Sequence, residues 1–298
     1  MFSANAMWGL MSPLAKMVMA CGAITPLIMT NLRIVGAAVL FWVASLFTPR
    51  EHVSGRDLLR LLGAALLGIV FNQGCFIFGV RLTAPGDASI ITTSMPLWAM
   101  LLAAVILKEP ITGKKVMGIV AGAAGALLLI LSGRQTAAAQ TPGNNPLWGD
   151  LLVLAAQLSY ALYIVIYKNF VRRYSLVTIM KWMFTFSALC VVPFSVGELS
   201  AAQWSQLDLK QWAAIAFIVV GATFVGYMLI IVGQKNLRPT VAGMYNYIQP
   251  IVACIVAICW GMDSFNWVKG CAVALIFGGV YLVTASKSRR EQKAERKK

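Results

Sequence analysis

The stretch from Gly79 to Gly125 is written twice: shifted by 154 positions, it lies without a gap on Gly233 to Gly279. Eight of the 47 aligned pairs are identical, including Gly79/Gly233, Pro85/Pro239, Pro96/Pro250, Lys115/Lys269 and Gly125/Gly279. In an Ala- and Gly-rich chain that identity is weak, and the spacing carries more. Two prolines eleven residues apart, a Gly six residues before the first and an acid (Glu109 or Asp263) after the second make one unit used twice. A chain built on such a unit folds as two related halves.

Apolar runs, each long enough to cross a hydrocarbon core of ~30 Å, fill most of the sequence. With 59% hydrophobic and 12% charged residues and a mean hydropathy of +0.77, the chain falls in the membrane class. Ten runs are read, roughly 2–20, 26–48, 58–80, 86–107, 115–132, 147–168, 175–197, 211–234, 240–260 and 266–285. The polar stretch 133–146 divides them into five plus five. An odd number of crossings per half turns the second half over, so the expected fold is an all-α membrane protein of ten transmembrane helices in two inverted five-helix repeats. The first repeat is residues 1–132, an external linker 133–146, the second repeat 147–285 and a basic tail 286–298.

The net charge of +15 sits mainly in the short connections and the tail. With the N-terminus inside, the inner connections and tail carry 18 Lys and Arg and the outer ones four, namely Arg81, Arg134, Lys210 and Lys269. That asymmetry places both termini in the cytoplasm and the chain in the cytoplasmic membrane, and it accounts for the basic balance without nucleic acid. The tail is read as a solvated segment drawn to anionic lipid. No cleavable signal is read, because the first run carries Asn5, Pro13 and Lys16 with no basic segment before it.

Six scattered cysteines form no Cys-x-x-Cys pair, and His52 is the one histidine. No metal, cofactor or disulfide framework is expected. Neither an embedded acid pair nor a Ser-His pair is apparent, which weighs against an intramembrane enzyme. The expected partners are a small-molecule substrate and membrane lipid; the oligomeric state is left open.

Lys16, Arg33 and Lys181 are the basic residues that fall inside the spans, where charge is costly and rarely faces lipid. Arg33 and Lys181 sit at mirror-image depths. Two readings stand for all three: the cation snorkels to the headgroups, or it lines a substrate cavity. Polar and aromatic residues from both halves accompany them: Asn5 and Trp8 in span one, Asn72 and Gln73 in span three, Thr92 and Trp98 in span four, Gln157 and Tyr160 in span six, Tyr227 in span eight, and Asn246 and Gln249 in span nine. Bonds between helices explain such residues as well as cargo binding does. Pro96 and Pro250 fall mid-span as hinges or as static kinks. No Asp or Glu lies deep in a span, so a proton relay lacks an obvious carrier. Embedded cations also disfavour efflux of lipophilic cations, the second transport reading.

Trp8-Gly9 followed by Lys16, then Arg33, then Thr83-Ala84-Pro85-Gly86-Asp87-Ala88 leading to Pro96, resemble the drug/metabolite transporter superfamily, specifically EamA-type ten-helix permeases. Glu109-Pro110-Ile111-Thr112 before Gly118 looks like that family's Glu-x-x-Thr, and Tyr160, Lys168, Pro239, Pro250 and Asp263 match the second repeat. Asp263 replaces the usual Glu, and Ser264-Phe265-Asn266 lacks the Thr. The resemblance implies a secondary transporter, often an exporter of amino acids or other small metabolites, with a cavity between the halves. It does not select among amino acids, nucleosides, sugar phosphates and drugs.

Overall fold

The computed structural model describes residues 1–19, 22–82, 91–92, 94–133, 146–259 and 267–286, and among these every regular element is a helix. The motif Thr83 to Ala88, the acid Asp263, the linker 134–145 and the tail from 287 lie outside the described residues. Helix α1 is Phe2–Met19 and α2 is Pro26–Leu46; α3 (Gly55–Ala65) and α4 (Asn72–Leu82) are joined by a π-helical segment, Leu66–Phe71. Next come α5 (Met95–Ile106), α6 (Gly113–Gly133), α7 (Pro146–Ile166) and α8 (Leu176–Val191). A second π segment, Phe217–Val225, joins α9 (Leu209–Ala216) to α10 (Gly226–Asn236). A 3₁₀ turn, Tyr245–Tyr247, joins α11 (Pro239–Met244) to α12 (Ile248–Cys259), and α13 is Trp267–Thr284. Five helical stretches among the described residues are long and apolar enough to cross a membrane: Pro26–Leu46, Gly55–Gly79, Leu147–Ile166, Leu176–Phe194 and Leu209–Asn236.

The helix starts follow from side chains that satisfy free amides. Thr25 caps α2 by accepting from Ile28 N at 3.2 Å, with Pro26 in the first turn. Ser175 does the same for α8, accepting from Thr178 N at 3.2 Å. Ser54 caps α3, and Asp208 caps α9 in a reciprocal box with Gln211. Ser54 and Asp208 are 154 positions apart. So are Asn72 and Gly226, which open α4 and α10, and Leu82 and Asn236, which close them. The repeat therefore reaches upstream of Gly79, carried by caps and π segments of dissimilar sequence.

The two prolines each fall near the start of a described helix. Pro96 falls in the first turn of α5, and Pro250 is the third residue of α12, just after the 3₁₀ turn. A helix restarts at each, and a first-turn proline gives up an amide that has no helical acceptor anyway.

The halves are interlocked. Helix α1 packs on α12 and on the α9–α10 rod of the other half; α7 packs reciprocally on α5 and α4. Helices α2 and α8 face each other, and α6 lies against α13. In the last pair a Cβ added at Gly118 would stand 2.7 Å from Gly279 O, and one at Gly125 would stand 2.6 Å from Ala272 O. Rising numbers on α6 meet falling numbers on α13, so these helices run antiparallel, backbone against backbone.

Candidate functional site

The π segment Phe217–Val225 anchors the site. In a π turn the backbone bonds reach one residue further, which leaves local carbonyls and side chains in unusual positions. The Thr223 hydroxyl, fully buried, donates to Ile218 O at 2.7 Å and accepts from Arg33 Nε at 3.1 Å. Arg33 itself is 3% exposed, and no carboxylate pairs with it among the described residues. Trp8 Nε1 donates to Ala222 O, in the same segment, at 2.9 Å. Gly226 opens α10 where a Cβ would meet that indole nitrogen at 3.2 Å. The other π segment is used in the same way from the opposite half, where Ser159 on α7 donates to Leu67 O at 2.8 Å.

An aromatic enclosure stands on this base. The Trp8 ring meets Tyr227 edge-on at 5.5 Å and Tyr160 at 6.0 Å, and Phe184 packs on Tyr227 at 5.2 Å. Gln73 Nε2 donates to Tyr227 OH at 2.8 Å, and Tyr163 OH donates to Gln234 Oε1 at 3.2 Å. Three polar atoms here are buried without a hydrogen-bond partner: Gln73 Oε1, Gln234 Nε2 and Tyr160 OH. Thr223, Tyr163 and Gln234 were not anticipated from sequence. Their signal was available only in part, since Tyr163 and Gln234 are polar residues on apolar faces, whereas Thr223 depends on the π geometry.

The remaining sequence candidates fall into three groups. Asn5, Asn246 and Gln249 join α1 to the broken α11–α12 rod: Gln249 Nε2 donates to Asn5 Oδ1 at 3.0 Å and to Asn246 Oδ1 at 3.5 Å. Asn72 donates to Ala156 O at 3.0 Å beside the buried Gln157. Thr92 is half-buried and engaged, and Trp98 on α5 keeps a buried indole nitrogen without a partner. The side chain of Lys16 lies outside those described, although its backbone is part of α1. Lys181 is elsewhere: its Nζ sits 4.7 Å above the Trp42 ring, on the α2–α8 face and apart from the enclosure.

Charged side chains close the end of the bundle that carries the basic connections. Lys108, at φ 52°, turns the chain out of α5 so that Glu109 N bonds Ala103 O at 3.1 Å. Glu109 then meets buried Lys115 of its own half at 3.1 Å, and Lys168 at 3.6 Å and the Thr240 hydroxyl at 3.3 Å from the other half. Burial pushes the Lys168 ammonium below the usual lysine range, against the pull of Glu109. Nearby, Tyr174 OH donates to Asp57 Oδ2 at 2.8 Å, and this bond, with Arg60 and Arg173, holds the Asp57 carboxyl below its ordinary range.

Two segments of the chain, 1–131 and 147–285, each match the EamA-like transporter family. Among curated relatives, the uncharacterized transporter YetK of Bacillus subtilis is 24% identical over 232 residues, covering 78% of this chain and 69% of the relative. The uncharacterized inner membrane transporter YedA of Escherichia coli K12 is 24% identical over 270 residues, covering 88% and 82%. A solved crystal structure superposes with a TM-score of 0.78 at 18% identity, covering 95% of this chain and 96% of the other, a likeness of fold alone. An all-helical chain with membrane-length apolar helices, a polar and aromatic cluster where its halves meet, and family matches in both halves belongs to the EamA-like transporter family and is a multi-pass membrane transporter, not an enzyme.

Proposed function

We propose that the chain is a ten-helix permease of the cytoplasmic membrane that exports a small organic metabolite bearing a carboxylate or phosphate, by alternating access. The observation that carries the reading is Arg33: a buried guanidinium with a hydroxyl partner and no paired carboxylate among the described residues, beside an aromatic enclosure built from both halves. A buried cation needs an anion or strong dipoles to be tolerable, and a passing anion supplies one. The planar fork of Arg33 suits a carboxylate or phosphate. Gln73 Oε1, Gln234 Nε2 and Tyr160 OH offer further donors and acceptors, and Trp8 and Tyr227 offer faces for an apolar part. The proposed site extends to Asn5, Asn246 and Gln249, which join α1 to the broken α11–α12 rod, and, by their place in the sequence, to Thr92, Trp98 on α5, Gln157 on α7 and Lys16 on α1.

The antiparallel α6–α13 crossing supports an inverted relation between repeats 1–132 and 147–285. The excess of Lys and Arg in one set of connections supports cytoplasmic termini. With no Asp or Glu deep in a span, uniport or exchange is the expected energetics.

The test is counterflow in proteoliposomes against a panel of anionic, zwitterionic and cationic metabolites, with and without a pH gradient. Arg33→Gln should raise the apparent KM for anionic or zwitterionic cargo while membrane expression stays near normal, with Arg33→Lys intermediate. Unchanged kinetics for such cargo in Arg33→Gln, or cargo confined to cations, rejects the assignment. A reporter fused after Lys298 that is active only outside rejects the orientation.

A further inference from the structure

A groove of about 650 Å³ runs along the outer face of the α2–α8 seam. Val35, Val39 and Trp42 line one wall; Thr185, Leu189 and Val192 line the other. On α8 the positions 181, 185 and 189 recur at helical spacing, with Val192 in the turn that follows, so Lys181 stands at the foot of the stripe that forms the second wall. Trp42 ties the foot together: its Nε1 donates to Thr185 Oγ1 at 2.8 Å, and its ring lies under Lys181 Nζ at 4.7 Å. The open side is apolar, with Val39, Trp42, Val43 and Leu189 all exposed.

Lys181 has no carboxylate partner among the described residues. Glu51, the acid on the connection after α2, is already committed to the amide of Ser175 at 2.9 Å and 3.1 Å. Arg50, exposed on the same connection, adds positive charge beyond the end of α2. An apolar groove thus ends on a cation that lies against an aromatic face.

From this complementarity we infer that the α2–α8 groove is a binding site for one anionic phospholipid, with an acyl chain along the seam and the headgroup phosphate drawn to Lys181. Because α2 and α8 come from opposite halves, the lipid bridges them. The site is separate from the Arg33 enclosure and independent of what is transported.

The test uses the full chain in nanodiscs of phosphatidylcholine, titrated with phosphatidylglycerol and read by native mass spectrometry of retained lipid. One cation near an anionic headgroup supplies a preference of about fivefold for phosphatidylglycerol over phosphatidylcholine. Lys181→Gln should abolish that preference and Lys181→Arg restore it, with equal thermal midpoints in pure phosphatidylcholine showing that both variants are folded. Ala188→Trp, which fills the groove, should lower retention of both lipids. Excess inorganic phosphate should leave retention unchanged, since the chain as well as the headgroup is held. No preference in the wild type, a preference that survives Lys181→Gln, retention untouched by Ala188→Trp, displacement by phosphate, or a second copy of the chain crosslinked across Val39 and Leu189 would each overturn the proposal.

Discussion

Gln73 donates a 2.8 Å hydrogen bond to the hydroxyl of Tyr227, and the two residues occupy the same position in the two copies of the repeat, 154 apart. Residues at equivalent positions touch each other only on the axis that relates the copies. The α6–α13 crossing is reciprocal in a related way: Gly118 faces Gly279 and Gly125 faces Ala272, and the offset of 154 exchanges the first contact for the second. These contacts are what a pseudo-two-fold relation between the copies, with its axis at the Gln73–Tyr227 bond, would produce, and chemically different side chains at that point would then make the site asymmetric where the scaffold is symmetric.

Tyr227→Phe should destabilise the protein by about 1–3 kcal/mol, because it leaves the Gln73 amide with neither end bonded. Gln73→Leu combined with Tyr227→Phe should cost less than the sum of the two single changes. Thermal unfolding of the purified protein in detergent gives the comparison, and strict additivity would mean that the bond contributes nothing.

Gly118→Ala and Gly125→Ala should each cost about 1–3 kcal/mol, since the new methyl meets a backbone carbonyl that cannot swing aside. Gly278→Ala, on the same helix as Gly279 but with nothing near its Cβ position, should be neutral or stabilising by about 0.5–1 kcal/mol. Gel filtration and thermal midpoints of the three variants separate the cases.

Glu109→Gln should be strongly destabilising, by about 3 kcal/mol, because Lys115 is 1% exposed and would keep its charge with no carboxylate beside it. Replacing both, Glu109→Gln with Lys115→Met, should recover a large part of the loss. If the single variant remains as stable as wild type, the ion pair contributes nothing to stability.

The acid limb of stability should report Asp57. Its folded-state pKa lies below the ordinary value, so the stability it contributes is present above about pH 4 and is lost as pH falls through the lowered value. Tyr174→Phe removes the leading cause of the shift. The gap in thermal midpoint between wild type and Tyr174→Phe should be open at pH 7 and close below about pH 4; a gap that stays constant with pH would locate the effect in packing.

The prolines and glycines between Gly79 and Gly125 made the repeat legible, because each does something specific to the backbone that few residues can replace. Upstream the repeat was hidden. Ser54 and Asp208 cap equivalent helices with different side chains, and the two π segments share a hydrogen-bond register rather than residues. Trp8, Gln73, Tyr160 and Tyr227 could be picked out as polar or amphipathic residues on apolar helices. Thr223 could not, since its role depends on a carbonyl five residues earlier. Arg33 and Lys181 looked alike by depth, and only packing separates them: one reaches a hydroxyl in the interior, the other covers a tryptophan on the outer face.

The reciprocal packing of α1 and α7 sets an order of events during synthesis. Trp8 bonds a carbonyl 214 residues further along the chain, and Asn5 accepts from a side chain 244 residues away. When α1 leaves the ribosome, the surfaces it will rest on do not exist, and they are not complete until α12 has been translated. Its polar side chains must wait in the bilayer, sheltered by lipid headgroups or the insertion machinery, while nearly the whole protein is made. A ribosome stalled after α6 would therefore leave half a chain whose first helix lacks the second-half surfaces it packs on, a target for membrane proteases rather than a stable half-transporter.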